Sequence, residues 1–267
     1  MTADQAPILS CRNVSKTFGA LAAVANLSFD VRQGEVLGIG GPNGAGKTTL
    51  FEVISGLSPA SNGEVVLDGE DITRLTPHAI CHRGIARLFQ LNASFDGLTM
   101  LENVMVGAYF GKASRLLPGL RLDAGSRRRT RDLLALVGLA DRADLPMRLA
   151  SVLERKLIML AGALATEPKV LLMDEPVGGL TPSEIDQVAE VVRKLPSLGV
   201  TVLLIEHVMR FLTQLSDRVL IMHHGERLFE GAPDRLAHDP DVVSVYLGVD
   251  AATALKQAAA AAGGRHE

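Results

Sequence analysis

Gly41-Pro42-Asn43-Gly44-Ala45-Gly46-Lys47-Thr48 decides the reading of this chain. The stretch fits G-x-x-x-x-G-K-[ST], a phosphate-binding loop of nucleotide triphosphatases. The apolar residues Val36 to Ile39 before it predict a buried strand, and Thr48 to Ser55 after it predict a helix. A strand, a glycine-rich turn and a helix N-terminus aim backbone N–H groups at one point, where the helix dipole adds partial positive charge. Glycine lets the main chain close around phosphate where a Cβ would obstruct it. Gly41, Pro42, Asn43, Gly44, Ala45, Gly46, Lys47, Thr48 and Thr49 are therefore the candidate nucleotide cradle. Lys47 would reach the β- and γ-phosphates, and the Thr48 hydroxyl would bind Mg²⁺.

The second half of such a site lies far along the chain. Val170-Leu171-Leu172-Met173 predicts a buried strand, and it runs straight into Asp174-Glu175-Pro176. A carboxylate at the end of such a strand lies on the sheet edge where open α/β sheets bind ligands. Asp174 is the candidate Mg²⁺ holder, directly or through water. Glu175 is placed to polarise an attacking water.

Around these motifs the pattern changes in an ordered way. Ile8 to Val14, Leu27 to Val31 and Glu64 to Leu67 read as short strands beside the loop. Leu98 to Phe110, Arg127 to Val137 and Val152 to Ala165 read as helices. After them, strands at Val170 to Met173, Val200 to Ile205 and Arg218 to Met222 alternate with helices at Pro182 to Leu195 and Val208 to Leu215. Such alternation predicts parallel strands with helices packed on the sheet. Ala258 to Ala262 and Gly263-Gly264 are low in complexity and predict a frayed tail.

Composition narrows the function classes. The chain has 267 residues, of which 47% are hydrophobic and 21% charged, as in a globular protein with a sizeable core. A net charge of −3, no tryptophan and only two tyrosines argue against nucleic-acid binding. The basic cluster Arg127-Arg128-Arg129 with Arg131 reads as a solvated helix face. The histidine pairs His78 with His82 and His223 with His224 read as solvated or core groups rather than a metal site. Two cysteines without metal-type spacing, Cys11 and Cys81, point to a reducing compartment. No apolar run reaches membrane-spanning length and no signal peptide is visible, so the expectation is a soluble protein able to dock on a membrane protein.

Taken together, these motifs resemble the ATP-binding-cassette family, over about residues 8–248. Phe18, in Ser15-Lys16-Thr17-Phe18-Gly19, falls where the family has an aromatic that stacks on adenine. Gln90, in Ala86-Arg87-Leu88-Phe89-Gln90, matches the glutamine that senses Mg²⁺ and the transporter's coupling helix. His207, in Leu204-Ile205-Glu206-His207, matches the histidine that contacts the γ-phosphate. The resemblance implies an α/β fold: a P-loop NTPase (RecA-like) core with an antiparallel β subdomain and a helical subdomain. It implies an ATPase domain at 7–250, with the helical part at about 91–165, and an Ala-rich tail at 251–267. The cofactors implied are ATP and Mg²⁺. The implied site has Glu175, His207 and Gln90 as catalytic groups and Thr48, Gln90 and Asp174 on the metal.

Within the family, Gly84-Ile85-Ala86-Arg87-Leu88-Phe89-Gln90, Leu98 to Val104, Ile205 to Met209, and Asp239 to Val242 with Tyr246 to Gly248 are most similar to ATPase subunits of branched-chain amino-acid importers. Subunits serving urea, short amides or lipopolysaccharide export also look similar. The resemblance implies membrane permease subunits as partners, a solute-binding protein outside the membrane, and a peripheral location on its cytoplasmic face. The family's signature, Leu-Ser-Gly-Gly-Gln, has a degenerate counterpart in Leu149-Ala150-Ser151-Val152-Leu153. Ala150 stands where the serine is expected and Val152 where a glycine is expected; a register using Ser151 still supplies no glycine. Thr181 replaces the usual Asp or Asn after the carboxylates. In the family dimer each signature closes over the other subunit's ATP, so the expectation is a heterodimer with a second, normal ATPase. A regulatory subunit with little hydrolysis of its own is the alternative. A DNA- or ribosome-directed cassette is disfavoured, because the chain lacks room for a long coiled coil and carries one cassette.

Overall fold

The computed structural model describes residues 6–89, 94–111 and 124–247, so Gln90 and the tail at 251–267 lie outside the described residues. The chain runs β1 (Leu9–Phe18), β2 (Leu21–Val31), β3 (Val36–Gly40), α1 (Lys47–Ile54), β4 (Asn62–Leu67), β5 (Glu70–Asp71), α2 (Pro77–Arg83) and β6 (Ile85–Leu88). It continues through α3 (Met100–Phe110), α4 (Ala124–Leu136), α5 (Val152–Leu164), β7 (Val170–Asp174), α6 (Pro182–Val192), β8 (Thr201–Ile205), α7 (Met209–Leu215), β9 (Arg218–His223), β10 (Glu226–Gly231) and α8 (Pro240–Leu247).

The strands form two sheets. A six-stranded sheet has the order β10-β9-β3-β8-β7-β6, parallel throughout except for the antiparallel edge strand β10. The second sheet, β2-β1-β4-β5, is antiparallel. Successive residues of the central strands enter two different cores. Leu171, Met173, Val202, Leu204, Val219 and Ile221 pack with Val104 of α3, Leu134 of α4, Leu157 of α5, Val188 of α6 and Phe211 of α7. Val170, Leu172, Leu203, Ile205, Leu220 and Met222 pack with Leu50 and Phe51 of α1 and with Leu9, Val24 and Val65 of the antiparallel sheet. Cover on both faces is why these strands read as unbroken apolar runs rather than alternating ones.

Parallel register brings the functional edge together. Asp174 pairs with Ile205, and Ile39 also pairs with Ile205 from the other side of β8. The segments that follow β3, β7 and β8 therefore leave the sheet side by side at its carboxyl edge, the place where α/β sheets hold ligands.

Several elements differ from the sequence expectation. The first two strands form a longer hairpin, turning at Gly19 with φ +59°. Helix α6 stops at Val192, and Pro196 opens a separate turn of 3₁₀ helix. Strand β6 fills a stretch quoted only as a motif, and helix α2 precedes it: Thr76 caps α2 by accepting from the Ala79 N–H, and Gly84 ends it with φ +110°. No helix among the described residues is long and apolar enough to cross a membrane.

Candidate functional site

The loop between β3 and α1 has the close packing that its glycines predict. A Cβ on Gly41 would lie 2.2 Å from the Met222 carbonyl oxygen, and one on Gly46 2.0 Å from the Ala23 carbonyl oxygen. Both residues also have positive φ, +141° and +98°. Lys47 is the first residue of α1, and its Nζ donates to the Gly41 and Pro42 carbonyl oxygens at 2.7 and 2.9 Å. Burial pushes the Lys47 ammonium below its usual range, and the carboxylates of Glu175 and Asp174 act the other way. Thr48 and Thr49 follow on the first turn of the helix.

A cleft of about 430 Å³ opens over this loop. It is lined by Phe18, by Asn43 through Thr49, and by Glu175 and His207, so residues far apart in sequence share one cavity. Its size lies within the usual range for small-molecule sites. Phe18, at the end of β1, is 51% exposed, with the Lys16 ammonium 4.9 Å from its ring centre. His224, read in the sequence as a solvated or core group, also lines the cleft, as do Leu21, Ala22 and Ala23, which were not singled out. No local pattern marks them; the β1–β2 hairpin and the β9–β10 turn bring them there.

Asp174 ends β7 and is buried. Its Oδ2 accepts from an Arg87 guanidinium nitrogen at 2.8 Å. Burial pushes the Asp174 carboxyl above its usual range, with Arg87 opposing the shift. Arg87 was missed as a site residue. The signal was a charge inside the apolar strand Ile85-Ala86-Arg87-Leu88, since a buried charge requires a partner. Glu175 follows with φ +48°, in the left-handed region that costs a non-glycine residue about 1 kcal/mol or more. Its Oε1 lies 2.5 Å from His207 Nε2, and its N–H donates to the Ile205 carbonyl at 3.0 Å. Glu206, also missed, is buried beside them. The signal there was an acid directly after an apolar run, as Asp174 follows Val170 to Met173.

The degenerate stretch lies at the start of α5. Helix α5 begins at Val152 with Ser151 as its N-cap, so a serine hydroxyl stands one residue beyond Ala150. That hydroxyl accepts from the Glu154 N–H at 3.2 Å, while the Glu154 carboxylate accepts from the Ser151 N–H at 2.8 Å. What the helix start lacks is glycine: Val152 and Leu153 occupy its first two positions. Leu149 and Val152 are 57% and 49% exposed, an apolar corner where bare backbone was expected. Arg155, one turn on, donates to Ser94 Oγ at 2.8 Å and to Asp96 Oδ1 at 2.6 Å.

The residues present fit a nucleotide: a cradle at Gly41 and Gly46 that a Cβ would fill, a buried ammonium, and a cleft with an aromatic at its rim. Among the described residues no group of three His, Cys, Asp or Glu side chains could hold a metal by itself. The Thr48 hydroxyl and the Asp174 carboxylate are oxygen donors of the kind Mg²⁺ takes, and Mg²⁺ completes its shell with phosphate and water.

Fold and site together define a P-loop nucleotide-binding protein whose phosphate cradle faces acidic residues across one sheet edge. The chain belongs to the ABC transporter family, whose model matches residues 24–178. It is 34% identical over 250 residues to the high-affinity branched-chain amino acid transport ATP-binding protein BraF of Pseudomonas aeruginosa, covering 91% of this chain and 98% of the relative. It is 33% identical over 241 residues to the lipopolysaccharide export system ATP-binding protein LptB of Haemophilus influenzae, covering 90% and 97%. Among solved structures, the ADP conformation of MJ1267, an ATP-binding cassette of an ABC transporter, superposes with a TM-score of 0.83 at 31% identity, covering 91% of this chain and all of that one. The chain is thus an ATP-binding ATPase subunit of the ABC transporter family.

Proposed function

We propose that this subunit sits on the cytoplasmic face of a membrane and couples ATP binding and hydrolysis to uptake of branched-chain amino acids or a related small polar solute. The observation that carries the solute class is the similarity to BraF over 91% of the chain. In this reading Phe18 stacks on adenine, the N–H groups of residues 41–49 and the Lys47 ammonium hold the phosphates, and His207 contacts the γ-phosphate. Thr48 and Asp174, with Gln90, hold Mg²⁺, which supplies charge neutralisation on the phosphate oxygens when bound. Glu175 takes the proton of the attacking water. Its bent backbone and its contact with His207 support that role, because a base must be held within reach of the proton it removes.

The partners proposed are permease subunits, a solute-binding protein outside the membrane, and a second ATPase subunit. The second ATPase follows from the corner at Leu149 to Leu153. A β-branched Val152 and an apolar Leu153 stand where glycine backbone would close over a partner's nucleotide. Two copies of this chain would carry two impaired composite sites. A normal companion leaves one competent site, built from this chain's loop, Asp174, Glu175, Gln90 and His207 and the companion's signature. The same corner favours the second reading, a regulatory subunit that binds nucleotide and turns it over slowly. Similarity to LptB favours lipopolysaccharide export as another cargo.

Uptake by the reconstituted complex separates these readings. The expected outcome is ATP-dependent accumulation of leucine, isoleucine or valine, lost in the Glu175→Gln complex. Accumulation of amides instead, or extraction of lipopolysaccharide, would overturn the solute class and keep energy coupling. Uptake that survives Glu175→Gln would favour the regulatory reading.

A further inference from the structure

Glu206 takes no part in the steps assigned above, yet it is placed where those steps meet. It is 2% exposed and lies one residue beyond β8. Its Oε1 accepts from the Val177 N–H at 3.1 Å, and its Oε2 accepts from the N–H groups of His207 at 3.0 Å and Val208 at 3.2 Å. Val177 belongs to the segment that leaves Glu175, whereas His207 and Val208 form the turn between β8 and α7. One buried carboxylate therefore fastens together the two segments whose side chains meet in the Glu175–His207 contact.

The surroundings act on that carboxylate in opposite directions. Burial pushes the Glu206 carboxyl above its usual range; the three N–H donors pull it down, and Glu175 pushes it up again. Burial pushes the ammonium of Lys156, on α5, below its usual range, and Glu206 and Glu175 pull it back up. Lys156 is thus the cation that both carboxylates feel from the helix packed beside them.

We propose that Glu206 is a positioning residue for hydrolysis: by accepting at both oxygens it sets the separation of Glu175 and His207. The inference rests on the roles proposed above for those two residues. The chemistry explains why a carboxylate of this length is needed. An amide presents an NH₂ at one end, which would face an N–H donor. The better orientation of Gln keeps its oxygen on His207 and Val208 and leaves the Val177 N–H unpaired, and an unpaired buried donor is costly. Asp keeps the charge and both acceptors but is one methylene short of bridging the two segments. Either change loosens the segment that carries Glu175 while leaving the phosphate loop alone.

The test uses the complex purified with its permease and companion ATPase, with ATP itself as the probe. For Glu206→Gln, kcat is expected to fall roughly 10- to 100-fold, the scale of a misplacement near 1 Å. The dissociation constant for ATP should stay within about threefold, because ground-state binding is untouched. Glu206→Asp should show the same split, and it carries the test if the Gln variant fails to fold. A double-mutant cycle with His207→Ala reads the coupling: if Glu206 acts through this pair, adding Glu206→Gln to His207→Ala should cost less than about twofold more. Wild-type turnover retained by a folded Glu206 variant, equal losses in kcat and ATP binding, or additive losses in the cycle would each overturn the inference. An inactive wild-type complex would instead bring down the underlying site reading.

Discussion

Glu175→Gln lowers ATP turnover in the assembled transporter by roughly 10²- to 10⁴-fold, the usual contribution of a positioned general base. The substitution is nearly isosteric, so neither the bend at φ +48° nor the bond from the residue 175 N–H to the Ile205 carbonyl needs to change. What disappears is the capacity to take a proton, together with a negative charge in the cleft beside Lys47. Because that charge repels the incoming phosphates, ATP binding should hold or tighten. The pattern to measure is therefore a collapse of steady-state phosphate release with an unchanged or lower dissociation constant for ATP and an unchanged melting temperature. Turnover within a few-fold of wild type would remove Glu175 from the role of base.

Gly46→Ala should abolish ATP binding and destabilise the whole domain. At φ +98° any L side chain is strained, and the added Cβ would lie 2.0 Å from the Ala23 carbonyl oxygen, a main-chain atom that cannot swing aside. Strain of this kind costs about 1–3 kcal/mol, so the melting temperature should fall by roughly 2–12 °C. The loop would be displaced at the residue that caps α1, which scatters the N–H groups meant for phosphate. Gly44→Ala is the control. Gly44 has φ +79°, but a Cβ added there would meet no residue beyond its chain neighbours within 4 Å, so its thermal loss should be clearly smaller. Equal melting temperatures for the two variants would show that the contact with Ala23 does not constrain the loop.

The residues that the sequence announced are those whose chemistry depends on local spacing. The phosphate loop, the acids at the end of β7 and the histidine after β8 each sit within a few residues of the apolar run that positions them. Parallel register then brings three such local patterns to one edge. Residues whose role depends on a distant partner were less legible. Arg87 becomes meaningful only when β6 pairs with β7 and its guanidinium meets Asp174, 87 residues away. Glu206 needs Val177, 29 residues away, to become more than an acid beside a histidine. The start of α5 was legible to the residue: the sequence expectation placed it at Val152, and the capping pair of Ser151 with Glu154 is what fixes it there. The two-faced burial of the central strands was recoverable from their unbroken apolar runs. The edge strand β10 was not, since Glu226 to Gly231 mixes charge with apolar residues.

In the proposed assembly this chain supplies one half of a hydrolytic site and a companion ATPase supplies the other. Steady-state phosphate release from ATP, measured for the purified chain alone and for the same chain with its permease and companion, tests it most directly. The expected outcome is slow release by the isolated chain, brisk release by the complex, and loss of the latter in Glu175→Gln. Brisk, Glu175-dependent hydrolysis by the isolated chain would contradict it, because two copies carrying Val152 and Leu153 would then have closed a competent site by themselves.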